Sequence, residues 1–159
     1  MASISDGESG ASVRAKLNTA LGQLFVCSRK LGWASGYSVP NASTVYCGDS
    51  PTGTPNATAT NRQFRLQTGV IKTADFSVSC TGLGTTEAVT FNLRNITDAT
   101  STLIYASLTM SATTKGFVAT GLNITTDATK EYAIEMVTPT FGTPPTGVAL
   151  SMNLNIFVA

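Results

Sequence analysis

The strongest constraint on the fold is a period of two that takes over at Arg62 and runs to the end of the chain. Its cleanest stretch is Val148, Leu150, Met152, Leu154, Ile156 and Val158, with Ala, Ser, Asn, Asn and Phe in between. Alternation of this kind puts every apolar side chain on one face of a strand, and no helix can do the same. Phe64 and Leu66, then Phe76, Val78 and Cys80, then Val89, Phe91 and Leu93 follow the same rule. So do Phe117 with Ala119, and Tyr132, Ile134 and Met136. Between Thr100 and Met110 two sets compete for the inner face: Leu103 with Tyr105, or Ile104, Ala106, Leu108 and Met110. Threonine fills many outward positions, where β-branched side chains suit a pleated surface. With Thr44–Cys47 added, the pattern predicts an all-β, jelly-roll-like β-sandwich of about eight antiparallel strands over residues 43–159.

The first quarter of the chain reads differently. Residues 1–8 are extended and then turn at Asp6-Gly7. Ser9 or Ser12 can cap a helix by accepting a free backbone N–H. Val13, Leu17, Ala20, Leu21, Leu24 and Phe25 then recur at helical spacing, with Arg14, Lys16, Asn18 and Gln23 largely off that face. The spacing predicts an arm and a short amphipathic helix over residues 1–31, ending between Leu21 and Arg29. Alone, such a helix is marginal, so its stripe has to bury against something. Residues 32–42, punctuated by Gly32, Gly36 and Pro40, read as a linker.

Composition narrows the function. Charged residues make up only 12% of the 159, about half the usual share. The surface is therefore neutral, built from hydroxyls and amides, which suits copies lying side by side in a shell or fibre. The net charge is +1 with scattered Lys and Arg, so no basic stripe points to nucleic acid. No run approaches the roughly 18 apolar residues of a membrane span. No basic, apolar leader precedes Asp6, so synthesis and assembly in a cytoplasm are expected.

Chemistry-bearing groups are sparse. The sequence has no histidine, which removes the commonest general base and the Ser-His and Cys-His nucleophile systems. Cys27, Cys47 and Cys80 form no C-x-x-C pair, so neither a metal nor a cofactor is expected. Cys80 reads as a buried thiol, and a Cys47–Cys80 disulfide stays open. Glu131 and Glu135 share one strand face and read as solvated carboxylates. Asp6 and Glu8 complement the dipole of the helix that follows them. The sequons at Asn41, Asn56, Asn95 and Asn123 read as turn residues. Trp33, Tyr37 and Tyr46 either pin the linker to the sandwich or form a ring platform for a sugar. No catalytic constellation emerges, and the chain is not expected to be an enzyme.

Asp6-Gly7-Glu8-Ser9-Gly10 together with Ser12-Val13-Arg14-Ala15-Lys16-Leu17-Asn18 resembles a short N-terminal motif of tailed-bacteriophage accessory virion proteins. Asn61–Leu66, Thr73–Cys80 and Val89-Thr90-Phe91-Asn92-Leu93-Arg94-Asn95 look like the opening strands of a phage-associated jelly roll. The resemblance implies a virion structural protein, commonly a homotrimer, whose partners are the major capsid protein or other virion proteins. A capsid decoration or cement protein on the head is the first expectation, since one short domain carries no fibrous repeat or receptor head. A tail-fibre or receptor-binding component is the alternative, and only there, or in a carbohydrate-binding module, would a host-surface glycan be bound. In the decoration reading, Asp6, Gly7, Glu8, Val13, Arg14, Lys16, Leu17, Leu21 and Leu24 form the attachment surface.

Overall fold

The computed structural model describes residues 9, 10, 12, 13, 16, 26–48, 54–111 and 114–158. Among them, nine strands form two antiparallel sheets. β1 (Val26–Tyr37), β9 (Val148–Val158), β3 (Gly69–Ser79) and β6 (Thr114–Ala119) lie side by side in that order, and β7 (Ile124–Thr126) also pairs with β3. The second sheet runs β2 (Thr44–Cys47), β8 (Tyr132–Val137), β4 (Ala88–Asn95) and β5 (Thr100–Thr109). The architecture is an all-β sandwich.

Alternation explains where each strand sits. Val148, Leu150, Met152, Leu154 and Ile156 of β9 are all at most 3% exposed, while the residues between them are half-buried. β9 pairs with β1 on one side and β3 on the other, so it is central to its sheet. Across the interior, Val89, Phe91 and Leu93 of β4 and Ile134 and Met136 of β8 are at most 2% exposed. Rings knit the layers together: Phe76 lies 5.5 Å from Phe91, and Phe117 stacks on Phe76 at 4.6 Å and meets Tyr105 at 4.4 Å. Each fully buried large apolar side chain contributes about 1.5–3 kcal/mol relative to exposure.

The front of the chain departs from the sequence reading. Residues 26–37 form β1, in register with β9 from Val26 opposite Phe157 to Trp33 opposite Leu150. The sandwich therefore already includes residues 26–37, ahead of the expected start at residue 43. Residues 26–31 belong to the sheet and not to a helix, and residues 32–37 are strand rather than linker. The physical reason is the face that β1 offers: Leu31 and Trp33 are each 3% exposed, packed into the common core. An N-terminal helix is not seen as an element, and most of its expected span lies outside the described residues. At its start Val13 N–H donates to the Ser9 carbonyl (3.0 Å) and Ser12 N–H to Ser9 Oγ (3.3 Å), one turn with the serine in the expected capping role.

Two further segments differ. Phe64 and Leu66 are buried as expected but lie in no strand. They follow a 3-10 turn at Ala59–Arg62, and Phe64 exchanges two backbone hydrogen bonds with Tyr132 (2.8 and 2.9 Å). In β5 neither candidate set wins outright. Its register against β4 slips between Val89 and Phe91 and again between Phe91 and Asn92. Extra residues on one strand break the period of two. Ile104 and Leu108 are buried, Tyr105 packs on the core, and Leu103 and Ala106 are exposed.

Cys47 and Cys80 are free thiols and both are buried, so they do not pair. Burial pushes the Cys47 thiol up from 9.0 to about 12, against a smaller opposing pull from Arg62. Since the thiolate is the reactive form, Cys47 is expected to resist a disulfide-exchange reagent at pH 8 in the native protein. It should react at once in guanidinium, and peptide mass spectrometry reads both states. Above pH 9.0 the unfolded chain releases this proton while the native chain holds it to about 12. Stability therefore falls as pH climbs through that window.

Candidate functional site

The rings singled out by the sequence do not make one platform. Trp33 lies on the inner face of β1, 3% exposed, and its Nε1–H donates to the Val148 carbonyl at 2.8 Å. Tyr37 meets it edge-on, with centroids 5.7 Å apart at 73°. Trp33 is buried and offers no face to a sugar, and the half-buried Tyr37 packs on it, so this pair fastens β1 to the sandwich. Burial, with a smaller contribution from nearby Cys47, pushes the Tyr37 hydroxyl up from its ordinary value. Tyr46 belongs to the other sheet. Its neighbours Val45 and Cys47 point into the core, so its own side chain faces outward.

That outward face holds the most organised polar group among the described residues. Tyr46 sits opposite Glu135, Glu135 opposite Asn92, and Asn92 opposite Leu103, one row across all four strands. Directly opposed residues share a face. Glu135 is only 8% exposed, which overturns its reading as a solvated carboxylate. Asn92 Nδ2 donates to its Oε1 (2.8 Å) and Ser101 Oγ to its Oε2 (3.1 Å), while Arg94 Nη1 donates to Ser101 Oγ (3.3 Å). A buried carboxylate needs such donors to offset its lost hydration. Glu131, just before β8, forms a 2.6 Å ion pair with Arg65. Chemically the row can present an amide, a phenol and an apolar side chain to a partner surface. Its carboxylate oxygens are already occupied by protein donors.

Asn92, Arg94 and Ser101 were missed by the sequence reading. A usable signal existed in β4, where Thr90, Asn92 and Arg94 alternate with the buried Val89, Phe91 and Leu93. It marks an outward polar face but not the carboxylate that the face surrounds.

A cleft of about 280 Å³ opens at one end of the sandwich, lined by Arg29, Arg65, Leu66, Gln67, Ala128 and Ile156. Arg29 stands opposite the buried Leu154, so it lies on the inner side of β1. Among the described residues no group of three His, Cys, Asp or Glu side chains could hold a metal ion. No described helix is long and apolar enough to cross a membrane.

The attachment residues Asp6, Gly7, Glu8, Arg14, Leu17, Leu21 and Leu24 lie outside the described residues. Val13 and Lys16 are described, and both are half-buried. Of the sequon asparagines, Asn56 and Asn95 make local turn contacts, while Asn41 and Asn123 tie together segments distant in sequence. Asn56 Oδ1 accepts from Thr58 N–H (2.8 Å), Asn95 Oδ1 from Asp98 N–H (3.0 Å), and Asn41 Oδ1 from Phe141 N–H (2.9 Å). Asn123 Oδ1 accepts from Lys72 at 2.8 Å. The sequence matches no protein-family model and no curated protein.

Proposed function

We propose that this chain is a structural protein of a tailed-bacteriophage virion, and that it decorates the capsid as a cement protein. The strand order carries the reading. β1 pairs with β9, β2 with β8, β3 with β6 and β7, and β4 with β5. Taking β6 and β7 as two pieces of one strand, this is a single long hairpin ribbon wound into two sheets. We infer a jelly roll, the double-sheet form used by viral capsid domains among others. The low charge of the chain suits dense packing of copies, and the N-terminal motif supports the phage assignment.

In this reading the segment before β1 attaches and the sandwich is carried outward, most simply as a homotrimer. Val13, Leu17, Leu21 and Leu24 supply an apolar stripe, and Arg14 and Lys16 orient it. At roughly 25 cal/mol per Å², a few hundred Å² per copy, repeated by symmetry, make an effective clamp.

Leu17→Asp combined with Leu21→Asp is expected to reduce binding to phage heads by at least about a hundredfold, since two buried leucines become charges. The far-UV circular dichroism of the sandwich should stay unchanged. Co-sedimentation with particles reads the binding. Undiminished binding overturns the attachment assignment. Gold labelling confined to the tail moves the protein to the fibre reading.

A further inference from the structure

Among the described residues the sandwich has four lateral edges, and three of them carry devices that discourage another strand from adding. β1 carries Arg29 on its inner side and Lys30 beside it, breaks register between Trp33 and Tyr37, and gives the Gly32 N–H to the Gly48 carbonyl (3.1 Å). β2 is four residues long, and Asn56 covers its edge through two backbone hydrogen bonds with Tyr46 (2.8 and 2.9 Å). The fourth position of the first sheet is split into two short strands, β6 of six residues and β7 of three. Inward or edge charges, short strands, bulges and covers are the recognised ways of blunting an edge.

β5 is different. It runs ten residues, Thr-Ser-Thr-Leu-Ile-Tyr-Ala-Ser-Leu-Thr, with no charge and no proline. Its ladder partner is β4 on one side, and among the described residues it ends its sheet on the other. The register slips are confined to Leu103–Leu108, so Thr100–Leu103 pairs one-for-one with Asn95–Asn92. All four of these residues are exposed, and Leu103 is 53% exposed, the apolar end of the Tyr46–Glu135–Asn92 row.

We propose that Thr100–Leu103 is a self-association edge, on which the same segment of a second copy pairs antiparallel about a two-fold axis. The two four-stranded sheets then become one continuous sheet. Three observations select a second copy as the occupant. A strand without charge meets its own image without repulsion. The other edges of a neighbouring copy are blunted, which leaves β5 as the edge for β5 to meet. A two-fold centred on Thr102 also sets the two Leu103 side chains on the same outer face, as diagonal neighbours across the new ladder. Four residues per strand form about four backbone hydrogen bonds, so the contact is weak in a free pair and gains from repetition. It is separate from arm-mediated attachment, and in a homotrimer it joins one trimer to the next.

Sedimentation velocity of the full-length chain, from low micromolar to submillimolar concentration, tests the proposal. Concentration-dependent association is expected. Leu103→Lys should weaken it by about tenfold or more, because each pair then brings two like charges to diagonal positions on one face of the new ladder. Thr100→Lys, at an exposed strand end, should act in the same direction if the first variant fails to fold. Amides of residues 100–103 should exchange more slowly at high concentration by hydrogen-exchange mass spectrometry. A chain that stays monomeric throughout overturns the proposal. So does association that both lysine variants leave unchanged. Association abolished by the Leu17→Asp and Leu21→Asp pair but untouched by the lysines removes the edge contact and leaves the attachment reading standing.

Discussion

Phe91→Ala is expected to lower the free energy of unfolding by about 3–5 kcal/mol, the range for truncating a fully buried aromatic ring. Phe91 has no exposed surface and sits mid-strand in β4, opposite Met136 on one side and Tyr105 on the other. Its ring reaches across the sandwich to Phe76, which is itself stacked on Phe117. The walls of the resulting cavity would come from both sheets. Each wall is tied by backbone ladders, so neither can collapse inward to refill it. Domains of this kind hold about 5–15 kcal/mol in total, and one truncation would remove a large part of that. Phe117→Ala is the comparison. Phe117 is half-buried at the sheet margin and should cost about half as much. Urea unfolding, read by circular dichroism, should show a lower midpoint and an unchanged slope. A loss below about 1 kcal/mol would mean that Phe91 is not at the centre of the core.

The strands that could be read from the chain are those whose period of two survives intact. β9 and β4 alternate without interruption, and their buried sets are the ones the spacing names, except that Val158 at the end of β9 is only half-buried. β5 resisted because two extra residues reset its phase, which no count of apolar positions reveals. β1 was hidden for a different reason. The helical spacing of Val13 to Phe25 runs straight into Val26, and Gly32 and Gly36 look like turn signals. In the sheet both glycines are strand residues with positive φ, in and beside an irregular stretch of the β1–β9 ladder. Glu135 shows the limit for the outer face. Whether a carboxylate is solvated depends on cross-strand neighbours, here Asn92 from 43 positions earlier and Ser101 from 34. Pairing register supplies that information, and the local sequence of β8 does not. The pinning of Trp33 was legible as chemistry, an apolar body with one polar tip. Its acceptor, the Val148 carbonyl, was not.

Gly32→Ala should be still more damaging for its size. Gly32 has φ +130°, and an added Cβ would stand 2.0 Å from the Leu150 carbonyl oxygen and 2.8 Å from its carbon. Both are backbone atoms of the central strand, fixed from the far side by β3. The methyl group can be accommodated only if β1 moves off β9. That displacement would uncover Leu31 and Trp33 and stretch the bond from Trp33 Nε1 to the Val148 carbonyl. Backbone strain alone costs about 1–3 kcal/mol. With the lost packing added, the total should reach about 4 kcal/mol or more. Gly36→Ala isolates the strain term, because Gly36 has φ +102° but no atom within 4 Å of an added Cβ. Trp33 is the one tryptophan of the chain, so its fluorescence reports on β1 directly. Gly32→Ala should shift native emission to longer wavelength and lower the unfolding midpoint well below that of Gly36→Ala. Equal midpoints, with the emission of Gly32→Ala unmoved, would show that β1 is not seated against β9 as described.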